Sequence, residues 1–302
     1  DEKIAVTKPR PGHADLNGVL KYDRSDIRDI LERASARDTV SRTAVGSFCK
    51  QLLAPFGIRV MGYIRSIGNI TSNFDGLSYE ETYARAEESP VRTADLAAEE
   101  KMIGLIEQCK KEGNTLGGIF EIVALGLPPG LGTHTQWDRK LDGRLAQALM
   151  SIQAIKGVEI GLGFEMARRR GSQVHDEIFF DPAKMVSEGT PRIVPTGFYR
   201  GSNNSGGTEG GMSNGAPLVV RVAMKPISTL MSPLQSVDLR SKQQTDASVE
   251  RSDVCAAPAA AVVGESVVAF ELANAFLEKF GGDSLREIRR NYESYLEQIK
   301  NF

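Results

Sequence analysis

Apolar and polar positions alternate along the chain in two periods. Between Ser25 and Phe56 apolar residues recur at helical spacing, first Ile27, Ile30 and Leu31, then Val40, Ala44, Phe48 and Leu52. Ser25 reads as the N-cap of this region and Pro55-Phe56-Gly57 as its stop. Ile58 to Gly68 switches to a period of two and predicts a strand. Ser89 to Gly113 predicts a capped surface helix rich in Glu and Lys, and Thr115 to Leu127 a strand turned by Pro128-Pro129-Gly130. Leu141, Leu145, Ala148, Leu149 and Ile152 share one face of a helix over Asp138 to Gln153. A glycine-rich strand over Val158 to Phe164 follows. Residues 197–215 hold seven glycines and read as a loop or a set of tight backbone approaches. Pro217 to Lys225 predicts a strand, Ala256 to Phe280 a long helix of small residues, and Asp283 to Asn301 a charged amphipathic helix.

These elements lack the regular βαβ beat of a dinucleotide-binding fold, and no strand runs into GxGxxG. The helices at 38–55, 138–153 and 258–279 are rich in Ala, Ser and Gly, which lets them pack closely in a layer between sheets. The expected class is therefore α+β, a layered sandwich with helices packed between antiparallel β-sheets, in one domain over 1–302. The start has no Met, and the loop from Lys8 to His13 arrives before any regular element. This predicts a domain entered partway, N-terminally incomplete.

Composition narrows the function. Hydrophobic residues make up 41% and charged residues 25%, which supports a sizeable soluble core. A net charge of -2 argues against a nucleic-acid or membrane-surface binder. No apolar run is read as reaching the ~20 residues of a membrane span, and the first residues lack a signal peptide's apolar stretch, so cytoplasm is expected. Cys49, Cys109 and Cys255 are widely spaced with no CxxC, and with three histidines no metal site is expected.

Four polar stretches interrupt the apolar pattern. In Arg10-Pro11-Gly12-His13-Ala14-Asp15, His13 is either a tunable acid or base or a loop histidine bonded to Asp15. Arg33 and Arg37 are four apart, with Ser35 between them. On one helix face they grip a phosphate or carboxylate, or else they form a solvated face paired with Glu32 and Asp38. The glycine-rich segment runs towards Lys225-Pro226-Ile227-Ser228-Thr229, which suits an anion-binding nest or else a mobile loop. Arg251-Ser252-Asp253 presents a cation and a base to one ligand, or caps the following helix. His134, His175 and the Arg168-Arg169-Arg170 run carry no comparable signal. P-loop and HExxH motifs are absent. The residues alone predict a pocket for a multiply anionic ligand and specify no reaction.

Several blocks, in order, resemble the chorismate synthase family: Arg10-Pro11-Gly12-His13-Ala14-Asp15, Glu32-Arg33-x-Ser35-Ala36-Arg37-x-Thr39, Gln153-Ala154-Ile155-Lys156-Gly157, Gly206-Gly207-x-Glu209-Gly210-Gly211 and Arg251-Ser252-Asp253-Val254-Cys255. The resemblance implies a lyase of aromatic amino acid biosynthesis. It eliminates phosphate from 5-enolpyruvylshikimate 3-phosphate to give chorismate, needs reduced FMN, and assembles as a homotetramer. It places FMN on Arg33, Ala34, Ser35, Gln153, Ala154, Gly210, Lys225, Pro226, Ile227, Ser228, Thr229 and Arg251, and substrate anions on Arg37. His13 and Asp253 match the family's proton-handling residues. Some family members also oxidise NAD(P)H, although no dinucleotide fingerprint supports that in this chain. The family's opening GESHG-type block has no counterpart here. An FMN- or anion-binding module without turnover is therefore the rival reading.

Overall fold

The computed structural model describes residues 5–185 and 196–302; residues 1–4, at the start of the stretch read above for a signal peptide, residues 186–195 and the side chains of Glu32 and Met185 fall outside the description. The chain divides into two compact units. The first comprises Asp1–Ser41, Ile64–Ile119 and Ala223–Ala259, and the second Arg42–Tyr63, Phe120–Val222 and Ala260–Phe302. In chain order the helices are α1 (Asp15–Tyr22), α2 (Arg28–Ala34), α3 (Asp38–Leu53), α4 (Tyr79–Glu88), α5 (Leu96–Lys111), α6 (Leu141–Met150), α7 (Ala257–Phe280) and α8 (Leu285–Lys300). The longer strands are β1 (Arg59–Ile67), β3 (Gly118–Leu125), β4 (Ile155–Ile160) and β9 (Leu218–Met224). With the short β2 (Ile70–Thr71) they form a sheet in the order β2-β1-β3-β9-β4. Antiparallel two-stranded ribbons pair β5 (Ile178–Phe180) with β6 (Phe198–Arg200), β7 (Thr208–Glu209) with β8 (Met212–Ser213), and β10 (Gln235–Val237) with β11 (Gln244–Asp246). The α+β class holds.

In the first unit, Gly18 of α1 faces Ile30 of α2 so closely that a Cβ there would lie 2.4 Å from the Ile30 side chain. The α2 start differs from expectation. Ser25 does not cap it; the Asp26 carboxylate accepts the Arg28 and Val6 N–H groups at 3.0 and 3.2 Å. Ser89 likewise does not open α5, whose N-cap is Asp95, accepting from Ala97 and Ala98. Ser89 instead follows α4, a helix closed by a Ser78–Glu81 capping box and burying only Thr82 and Ala86. With so little apolar surface, α4 leaves no helical period in the sequence.

In the second unit, α7 is the core helix. Gly46 of α3 meets Ser266 of α7, where an added Cβ would lie 2.3 Å from the Ser266 Cβ. Lys50 and the buried Glu265 form an ion pair across the same two helices. Gly264 and Gly62 make room beside Ile122 in the same way. The small residues therefore do set close helix and strand approaches. Phe276 packs on Phe56, Phe280 and Tyr292 with ring centroids 4.6, 4.8 and 5.5 Å apart. One expectation fails: α7 is, by length and composition, long and apolar enough to cross a membrane. However, 72% of its most apolar window is buried inside the structure, as in a core helix. The strand expected over Val158 to Phe164 is β4, which begins at Ile155 and ends at Ile160, because Gly161 and Gly163 have positive φ and turn the chain.

Candidate functional site

The 10–15 stretch folds for a local reason. Pro11 and Gly12 occupy the two central positions of a turn closed by His13 N–H donating to the Arg10 carbonyl at 3.2 Å. Gly12 has φ +77°, the left-handed value that a type II turn requires there. The turn delivers His13 above Asp15, which is fully buried in the first turn of α1, where a negative charge is favourable. The His13 Nδ1 lies 2.5 Å from Asp15 Oδ1. Arg10, also buried, donates its backbone N–H, Nε and Nη2 to the same carboxylate at 3.0, 2.8 and 3.0 Å. Burial pushes the Asp15 carboxyl up, but the hydrogen bonds from His13 and Arg10 outweigh it and hold the group well below the usual carboxylate range. Arg10 Nη2 also lies 3.1 Å from His13 Nδ1 and 3.4 Å from Nε2; an ionised Asp15 accepting Nδ1–H favours the tautomer in which Nε2 carries the lone pair for proton transfer.

The remaining Arg10 donor reaches Thr229. Its Nη1 donates to Thr229 Oγ1 at 2.8 Å, and the Thr229 carbonyl accepts from Ser252 Oγ at 3.0 Å. Lys225 Nζ donates to the Gly12 carbonyl at 2.8 Å, and the Ile227 carbonyl accepts from Thr115 Oγ1 at 2.7 Å. The structure thus joins His13, Lys225, Ile227, Thr229 and Ser252 into one polar cluster, with Ser228 against Gly12. Pro226 is exposed beside them, as are Arg251 and Asp253, which flank Ser252. The alternative reading, in which Ser252 or Asp253 caps α7, does not hold, since α7 starts at Ala257 and Ser252 donates to the Thr229 carbonyl.

An open cleft of about 860 Å³ begins at Ala14, next to His13, and runs between α1 and α2 past Asn17, Lys21, Arg24, Arg33 and Ala34. Tyr22 and Ile30 supply apolar wall, and Asp29 is a carboxylate in the lining. Three cations with an aromatic and an aliphatic wall suit a ligand that carries a phosphate on a flat ring system. Sequence reading missed Lys21, Arg24 and Asn17 because the short α1 was not foreseen. Their signal was the DLNGVLKY segment directly after His13-Ala14.

Arg33 and Arg37 do not share a helix face. Helix α2 ends at Ala34, Ser35 is extended, and its Oγ accepts the Arg37 N–H at 3.3 Å before α3 begins. The serine competes with the helix for the backbone donor, and the helix breaks there. Gln153, Ala154 and Gly210 belong to the second unit. Ala154 has φ +65°, a left-handed conformation that costs a residue with a Cβ. Gly210 and Gly211, both with positive φ, form the two-residue turn of the β7–β8 hairpin. The glycine-rich segment is therefore a set of tight turns and backbone approaches. Gly206, for example, leaves no room for a Cβ against the Gly161 backbone, 2.3 Å away. His134 and His175 are exposed, and Arg168 and Arg169 pair with Glu165 on the surface.

A family model described as chorismate synthase matches residues 2–277. The chain is 59% identical over 302 residues to a chorismate synthase of Geobacter sulfurreducens, covering all of this chain and 76% of that protein. It is 58% identical over 300 residues to a chorismate synthase of Pelobacter propionicus, covering 99% and 75%. A solved chorismate synthase structure superposes with a TM-score of 0.80 at 46% identity, covering 96% of this chain and 77% of the other.

Proposed function

Because the chain belongs to the chorismate synthase family, we propose that it converts 5-enolpyruvylshikimate 3-phosphate to chorismate, with reduced FMN as cofactor. The reaction is an anti-1,4 elimination. The C–O bond to phosphate breaks, a ring proton leaves, and a conjugated diene remains with no net redox change. When bound, the reduced flavin supplies the electronic step that loss of phosphate and a weakly acidic proton requires.

The protein's part is positioning, neutralisation and proton handling. The observation that carries the reading is the cation-lined cleft opening at Ala14, beside a histidine whose Nδ1 is held by a buried carboxylate. Arg33 and Ala34 would hold the cofactor from the cleft, together with Ser35, Arg251 and the 225–229 segment; the family resemblance also assigns Gln153, Ala154 and Gly210 to the cofactor. Arg37 grips the anionic groups of the substrate. His13 moves a proton through Nε2, and Asp253 is the second proton-handling group. The enzyme acts as a carbon–oxygen lyase, in the cytoplasm and as a homotetramer.

Arg33 gives the direct test of the cleft. Replacing it with alanine removes a charge-assisted contact and weakens FMN binding by about 10–100-fold. Anaerobic titration followed by flavin absorbance measures this. Unchanged affinity contradicts the assignment of the cleft to the cofactor.

A further inference from the structure

Four polar side chains stand in line on four neighbouring strands of the sheet. Tyr63 on β1 donates its hydroxyl to Glu121 Oε1 on β3 at 2.7 Å. Glu121 Oε2 lies 3.5 Å from Arg221 Nε on β9, and Arg221 Nη1 lies 4.0 Å from Glu159 Oε2 on β4. The order matches that of the sheet, β1-β3-β9-β4. Tyr63 and Glu121 are buried, whereas Arg221 and Glu159 are about a third exposed. Arg221 also donates Nη2 to the Gly161 carbonyl at 2.6 Å, just past the end of β4. Glu159 Oε1 accepts the Phe164 N–H at 3.1 Å, closing the turn that follows.

The ladder sits where the strand needs it. β4 is the last strand of the order, and of its six residues only Ile155 is buried. A strand with so little apolar anchorage has weakly specified register, and a slip of one residue reverses every side chain. Immediately before it stands Ala154 in its left-handed conformation, which persists only if both flanks hold it. The flank on one side is α6, with Leu141, Leu145 and Leu149 buried. On the other side is β4, paired to β9, where Arg221 reaches the Gly161 carbonyl and stands 4.0 Å from Glu159.

We infer that Arg221, backed by Glu121 and Glu159, is a positioning residue that fixes the register of β4 and so holds the Gln153–Ala154 turn in its ligand-binding form. The ligand part of this statement rests on the reading of that turn as a flavin contact; the register part does not.

The test compares Arg221→Met, which keeps the aliphatic stem, with the unaltered chain, using FMN titration and amide hydrogen exchange. Glu159→Gln is the second variant should Arg221→Met fail to fold. The expected result is FMN affinity weakened about 10-fold and faster exchange confined to residues 153–160, with KM for the phosphorylated substrate unchanged at saturating FMN. Adding Ala154→Gly to Arg221→Met recovers part of the affinity, because glycine adopts φ near +65° without strain. Unchanged exchange at 153–160 overturns the inference, as does loss of protection spread across the whole second unit. If the unaltered chain binds no FMN, the cofactor reading fails, and exchange at 153–160 still decides the register claim in either direction.

Discussion

Replacing His13 with alanine lowers turnover by about 10²–10⁴-fold while leaving FMN affinity nearly unchanged. The expectation comes from how the ring is held. Its Nδ1 faces a buried carboxylate at 2.5 Å, so that nitrogen is committed, while Nε2, with Arg10 Nη2 3.4 Å away, is the one left to exchange a proton. The side chain is 17% exposed, enough to reach a ligand while its orientation stays fixed. The alanine variant keeps the Arg10–Asp15 contacts, so stability changes little and the loss falls on kcat. Anaerobic steady-state kinetics with chemically reduced FMN provides the measurement. A change in KM alone, with kcat intact, would make His13 a binding group rather than a proton carrier.

Asp15→Asn has a comparable effect on activity and a larger one on the fold. The carboxylate takes four contacts from Arg10 and His13, and an amide has only one oxygen to offer them. Its NH2 group would face donors. Arg10, with its side chain only 5% exposed, then keeps a buried charge without its counterion. Breaking such a buried pair costs about 3–5 kcal/mol. Turnover falls by about 10³–10⁴-fold, because the imidazole is no longer held in the tautomer that leaves Nε2 free. The pH dependence follows from the sign of the Asp15 shift. A carboxyl held below its unfolded value stabilises the fold fully above the unfolded pKa of about 4. That stability is lost as pH falls through the lower folded value. Denaturant melts should therefore show a constant stability gap between parent and Asp15→Asn from about pH 5 to 8, and a shrinking one below about pH 4. A gap that stays constant into acid would mean the carboxyl is not depressed.

The sequence pattern carried the long apolar elements well. The helix expected over Ala256 to Phe280 is α7 (Ala257–Phe280), and the strand expected over Pro217 to Lys225 contains β9. Each buries enough apolar surface to impose its period on the sequence. Helices α1 and α4 were illegible for the opposite reason. One turns on a buried Asp15 and a close approach at Gly18, the other on a polar capping box. The site divides along the same line. His13, Asp15 and Lys225 announced themselves as polar residues among turn formers, but the bonds from Arg10 to Thr229 and from Ser252 to the Thr229 carbonyl span long stretches of chain. Spacing misled at Arg33 and Arg37, where a serine hydroxyl outcompeted the helix. No local feature of the sequence marks Ala154 as left-handed, since alanine is the residue least suited to signal it.

The most direct test is anaerobic turnover of 5-enolpyruvylshikimate 3-phosphate by this 302-residue chain with chemically reduced FMN, measuring phosphate and chorismate together. The predicted result is one phosphate released per chorismate formed, with no net oxidation of the flavin and with release slowed about 10²–10⁴-fold in the His13 variant. FMN binding without phosphate release would contradict it and leave the chain a flavin-binding module.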